Sequence, residues 1–169
     1  MDEPTEPGYH RTEIKTRHMK FLIAMLGLAI VTLGINQITM TNKAMAEDNS
    51  GKNSTKIVIE KFNAAFNHQN VDAVMRLMTE DCVFENTNPA PDGTRIEGAA
   101  AVRGYWEKFF TANPGALFES EEMIVSGNRC IVRWVYRKTK DGKPWHLRGV
   151  DVFKVGNGKV AEKLAYVKG

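Results

Sequence analysis

RGVDVFKVGNGKVAEKLAYVKG, residues 148–169, is the stretch on which the reading of this chain turns. Gly156-Asn157-Gly158 is a tight hairpin signal between two runs rich in β-branched and aromatic residues. The pattern predicts a long strand over residues 144–155 and a closing strand over 159–167. Asp151 stands between Val150 and Val152, and alternation groups it with Leu147, Gly149 and Phe153. On the other arm, alternation groups Glu162 with Val160, Leu164 and Tyr166.

Moving outward, Asp141-Gly142 is a second turn. Residues 129–138 alternate before it, with Cys130, Val132, Trp134 and Tyr136 on one face and Arg129, Arg133 and Arg137 on the other. Ile131 and Val135 leave that second face half apolar. Residues 116–125 read as a further strand, closed by Ser126-Gly127-Asn128. Upstream, residues 99–112 carry Val102, Trp106, Phe109 and Phe110 at helical spacing, and Asn113-Pro114-Gly115 stops that helix. Residues 86–98, with two prolines and two glycines, predict an ordered loop behind a short strand over 82–86. Two further helices are expected before it. One covers residues 55–68, with Ser54 or Thr55 as its cap, and a short one opens at Asn70-Val71-Asp72.

The chain has 169 residues and a formal charge of +3. That suffices for one ordinary domain and is too little for two large ones. Residues 47–169 hold 18 Lys+Arg and 16 Asp+Glu spread along the sequence, which argues against a nucleic-acid binder. Two cysteines exclude a disulfide-dense scaffold and a CxxC site. Cys82 and Cys130 read as buried thiols or a disulfide pair. His68 and His146 are the histidines beyond residue 46, without metal-ligand spacing, and no metal or cofactor is expected.

Residues 1–20 form a polar leader ending in basic residues, and Met19 is a more ordinary start. Residues 21–38 carry no charge, and Ala44-Met45-Ala46 has small-x-small spacing. Basic, apolar and A-x-A parts describe a secretory signal over residues 21–46. The competing reading is an uncleaved membrane anchor over residues 21–41, with membrane contact through 21–38. Either places the domain outside the cytoplasm, periplasmic or extracellular. Residues 47–54 read as a linker and 55–169 as the domain.

The phrases NPAPDG at 88–93, VRGYWEKFF at 102–110 and the closing stretch at 148–169 resemble the NTF2-like superfamily, in its SnoaL-like branch. The resemblance covers about residues 54–169. It implies an α+β, cone-shaped fold, with a strongly curved antiparallel or mixed sheet wrapped around three N-terminal helices and a pocket at the open end. It also implies a homodimer through the sheet. Members include isomerases, polyketide cyclases, epoxide hydrolases, dehydratases and non-catalytic binding or assembly domains, so fold alone does not choose a function.

Asp151 is the leading candidate for proton transfer, because an inward carboxylate among apolar neighbours suits that task. The alternative is a structural clasp to an arginine or the backbone. Glu162 is a weaker candidate on the neighbouring strand. Glu85 is another, able to assist Asp151 or to satisfy Arg95 or Arg103. His146 falls on the other face from Asp151, so the two make no ready dyad. Phe84, Trp106, Trp134, Tyr136, Phe153 and Tyr166 are expected to wall a ligand pocket, with plain core packing as the alternative. Arg133, Arg137, Lys138, Lys140 and Lys143 read as a solvated basic face. Three functions follow: a module binding a small apolar or amphipathic molecule, an isomerase-, cyclase- or lyase-like enzyme acting on a small carbonyl compound through Asp151, and a dimerisation or assembly module.

Overall fold

The computed structural model describes the backbone of residues 10–168 and the side chains of residues 37, 39–47 and 49–168. Two compact units divide after Glu47. Helix α1, His10–Asn67, runs through the boundary and through residues 47–54. Among the described residues no helix is long and apolar enough to cross a membrane, and the expected transmembrane helix, membrane anchor and membrane contact are corrected on that finding. The apolar stretch 21–38, on which both the anchor and the signal rested, lies almost wholly outside the residues whose side chains are described.

The second unit starts from the end of α1. Ile59, Phe62 and Phe66 present one buried stripe there, as the helical spacing requires. Thr55 is not a cap but an interior helical residue, and its hydroxyl donates to the Gly127 carbonyl at 2.9 Å. Helix α2, Val71–Arg76, is capped by Asn70, whose side chain accepts from Ala73 N. Strand β1, Met78–Glu85, is followed by the 86–94 loop and a three-residue strand β2, Arg95–Glu97. Helix α3, Ala99–Ala112, buries Val102, Trp106 and Phe110. Strands β3, Leu117–Ser126, β4, Arg129–Lys140, β5, Lys143–Gly156, and β6, Lys159–Val167, complete the chain. The β4–β5 and β5–β6 turns place Asp141-Gly142 and Asn157-Gly158 at positive φ in succession, the conformation that a two-residue hairpin of matching twist needs.

The sheet order is β2-β1-β6-β5-β4-β3. Only β1 and β6 are parallel; the other neighbours are antiparallel. The expectation of a strongly curved sheet wrapped into a cone around three N-terminal helices is corrected here. The sheet is mixed and open, neither strongly curved nor closed, with β2 and β3 as unjoined edges. A closed form would need those edges to pair, and β2 is only three residues long. Two helices precede the sheet, and α3 lies between β2 and β3 in the chain. The core between helices and sheet combines aromatic rings with aliphatic side chains, and Trp106 within it is 2% exposed. Burying each such side chain contributes roughly 1.5–3 kcal/mol.

Candidate functional site

A small cavity of about 80 Å³, partly open to solvent, lies in this unit between the helices and the inner face of the sheet. Its wall is aromatic. Phe84 comes from β1, Tyr105 and Trp106 from α3, and Trp134 and Tyr136 from β4. Alternation along β4 aims Trp134 and Tyr136 to the same side. Asn86 and Thr87, where β1 enters the 86–94 loop, also line it. That loop is tied down locally: the Asn86 side-chain oxygen accepts from Asn88 N at 3.0 Å and from Thr94 N at 2.8 Å.

Asp151 and Lys163 share this cavity. Their side chains are 5% and 6% exposed, and Lys163 Nζ lies 2.7 Å from Asp151 Oδ2. On β5, Asp151 is opposite Ala165, and Phe153 is opposite Lys163. Asp151 and Lys163 are therefore diagonal neighbours on one face. The ammonium also lies over the rings of Phe84 at 5.3 Å, Phe153 at 5.6 Å and Trp106 at 6.0 Å. Electron-rich ring faces and one carboxylate compensate the loss of water around this cation.

Among the described residues five buried polar side-chain atoms have no hydrogen-bond partner, and four belong to cavity residues: Trp106 Nε1, Trp134 Nε1, Tyr136 OH and Asp151 Oδ1. A buried polar group left unpaired costs about 1–3 kcal/mol, so four at one cavity mark a place suited to a polar guest. Burial pushes the Tyr136 phenol up to about 12, with Tyr105 adding to it. Burial likewise raises Tyr105, against a hydrogen bond with Asn86. Both phenols stay protonated near neutrality and can donate.

The remaining sequence candidates fall elsewhere. Lys154 is opposite Glu162 while Val155 is opposite Val160, which leaves Ala161 as an extra residue on β6. This bulge puts Val160 and Lys163 on the buried side and Glu162 on the outer face. Glu162 there meets Arg129 at 2.8 Å and Lys154 at 3.4 Å. Burial raises its carboxyl, but those two cations outweigh the effect and hold it below the usual carboxylate range. Tyr166 is 47% exposed and borders two surface grooves. Glu85 borders one of those grooves and lies 3.9 Å from Arg95. Phe153 is fully buried and packs edge-on against Phe62 beneath the cavity. His146 is exposed and opposite Arg137. Arg133 and Arg137 of the basic face are paired with Glu121, Glu122 and Glu119. Cys82 and Cys130 are free, buried thiols.

Lys163 is the residue that sequence reasoning missed. Simple alternation from Val160 sends it outward with the surface lysines. A bulge at an alanine has no composition signal of the kind glycine supplies.

The SnoaL-like domain family matches residues 59–163, and the chain belongs to that family within the NTF2-like superfamily. An NTF2-like protein of unknown function from Mesorhizobium loti is 36% identical, with a TM-score of 0.61, over 70% of this chain and 93% of that one. An NTF2-like protein of unknown function from Burkholderia pseudomallei is 18% identical, with a TM-score of 0.60, over 68% of this chain and 91% of that one. TerC, crystallised with polyporic acid, is 18% identical, with a TM-score of 0.59, over 68% of this chain and 92% of that one. The last two likenesses establish the fold alone. No curated protein matches the chain.

Proposed function

We propose that this domain binds a small amphipathic molecule in the cavity holding Asp151 and Lys163. One observation carries the reading: four unpartnered buried polar atoms belong to residues lining a cavity otherwise walled by aromatic rings. Three are donors and one is an acceptor, so the fitting guest is compact, largely apolar and richer in acceptor oxygens than in donors. The test is calorimetric titration of the full chain with a panel of small aromatic and aliphatic carbonyl compounds. Tyr136→Phe should weaken the best binder by about 3- to 10-fold, the equivalent of one net hydrogen bond. A panel without any binder, or a Tyr136→Phe protein binding as wild type, removes the reading.

A second reading makes Asp151 a proton-transfer residue on such a carbonyl compound. The unpartnered Oδ1 of this cavity-lining residue supports it, since it remains able to take a proton while Oδ2 holds Lys163. Unchanged turnover of a bound compound by Asp151→Asn would discard it.

We also propose a homodimer through the outer sheet face. Ile124 and Ile131 are 54% and 42% exposed and directly opposite each other. Val152 and Leu164 continue the same row across β5 and β6. Ile131→Asp should convert the sedimentation of a dimer to that of a monomer. The export reading, with residues 21–46 as a signal and 55–169 as the exported domain, is likewise a proposal. N-terminal sequencing of protein recovered outside the cytoplasm tests it, and an intact residue 19 or earlier start there would overturn cleavage.

A further inference from the structure

We infer that Lys163 is a carbonyl-capturing amine, forming a reversible imine with a small aldehyde or ketone in the cavity while Asp151 carries the protons. This rests on the ligand-cavity reading above. Three observations support it. Lys163 is the primary amine that lines the cavity, although its side chain is only 6% exposed. A carboxylate oxygen lies 2.7 Å from its nitrogen, within reach for direct proton transfer. The second oxygen of that carboxylate is buried and unpartnered. A purely structural clasp would be expected to engage both oxygens, as buried carboxylates need their lone pairs satisfied.

The chemistry closes within the pair. A proton passes from the Lys163 ammonium to Asp151, leaving a neutral amine and a carboxylic acid. Charge separation is thereby removed in a site with little water to support it. The amine lone pair forms a C–N bond to the carbonyl carbon, and the C=O π pair moves to oxygen. Asp151 protonates that oxygen and takes a proton from nitrogen, giving a carbinolamine. It then returns its proton to the hydroxyl, the C–O bond breaks, and water leaves. The product is a protonated imine beside the Asp151 carboxylate, the same charge pair as at the start. No oxidant or reductant is consumed. The ring faces that stabilise the ammonium also flank the iminium, and desolvated lysines are apt nucleophiles for such a step.

The test uses the full chain, substoichiometric propanal and sodium cyanoborohydride, with peptide mass mapping of propylated lysines and tryptophan fluorescence to follow binding. Lys163 should be alkylated at least about 10-fold faster than exposed Lys108 and Lys159, whose amines have no adjacent buried proton acceptor. Lys163→Arg should keep the cation and show no adduct at that position. Asp151→Asn should slow Lys163 labelling by roughly 100-fold, the lower end of general acid–base assistance. Labelling of Lys163 no faster than the surface lysines, with fluorescence still reporting bound propanal, overturns the imine and leaves the cavity reading standing. If neither labelling nor a fluorescence response occurs with propanal or with the best compound of the panel, both fall. Wild-type labelling rates in a folded Asp151→Asn protein overturn the role of Asp151. The wild-type comparison decides the role of Lys163 even where a variant does not fold.

Discussion

Asp151 and Lys163 are nearly without water, so neither charge is tolerable alone. Removing one partner of such a pair costs about 3–5 kcal/mol, whereas replacing both by apolar groups of similar volume is often far less harmful. Lys163→Met and Asp151→Leu should each lower stability by that amount, and the double variant should be more stable than either single one. Denaturant unfolding of the four proteins checks this, and additive losses would show that the charges do not couple. Gly149 is the other residue whose identity its neighbours dictate, because it sits against the Trp134 ring that walls the cavity. A Cβ there would collide with the Tyr166 carbonyl and come within 2.5 Å of the Trp134 ring. Gly149→Ala should cost about 1–3 kcal/mol by overpacking and should weaken ligand binding, because Trp134 must shift from the wall. Wild-type stability and affinity would show that the strand yields without moving the indole.

At the scale of elements, the β6 bulge is decisive. One extra residue at Ala161 turns Lys163 toward Asp151 and Glu162 toward Arg129. The end of α3 and the start of β6 coincide with the sequence expectation, because Asn113-Pro114-Gly115 and Gly156-Asn157-Gly158 punctuate them chemically. Strand β2 was not legible: three residues at the rim of a turn-rich loop carry no period, and their pairing with β1 is non-local. The outer face also has a pH signature. The Glu162 carboxyl is lower in the folded chain than its ordinary value of 4.5. Its ion pairs therefore stabilise the fold fully above that value, and the stabilisation is lost as pH falls through the lower folded value. The stability gap between wild type and Glu162→Gln should be constant above pH 4.5 and close on acidification; a gap that persists in acid would assign the effect to packing.

Over the whole second unit, the main hydrophobic core joins the sheet to the helices, and the thiols of Cys82 and Cys130 buried in it report its integrity. Burial pushes the Cys130 thiol up to about 11 and raises Cys82 as well. Both should resist alkylation near neutral pH in the native protein and react readily once unfolded. Rapid native labelling of either would mean that the core opens locally. The correction of the sheet belongs to this scale too. Alternation identifies strands, but curvature and closure depend on how distant edges meet, which no local pattern records.

The sequence by itself determined the type of every element but β2, the two hairpin turns, the family, and the placement of Asp151 on the face of Gly149 and Phe153. Each follows from periods, turn chemistry or motif phrases confined to neighbouring residues. Tertiary structure alone decided that the sheet is open, that Lys163 rather than Glu162 meets Asp151, and that Tyr166 leaves the cavity wall. Those outcomes rest on one bulge and on pairings between strands far apart in the chain, where a single-residue shift of register exchanges the buried face for the exposed one.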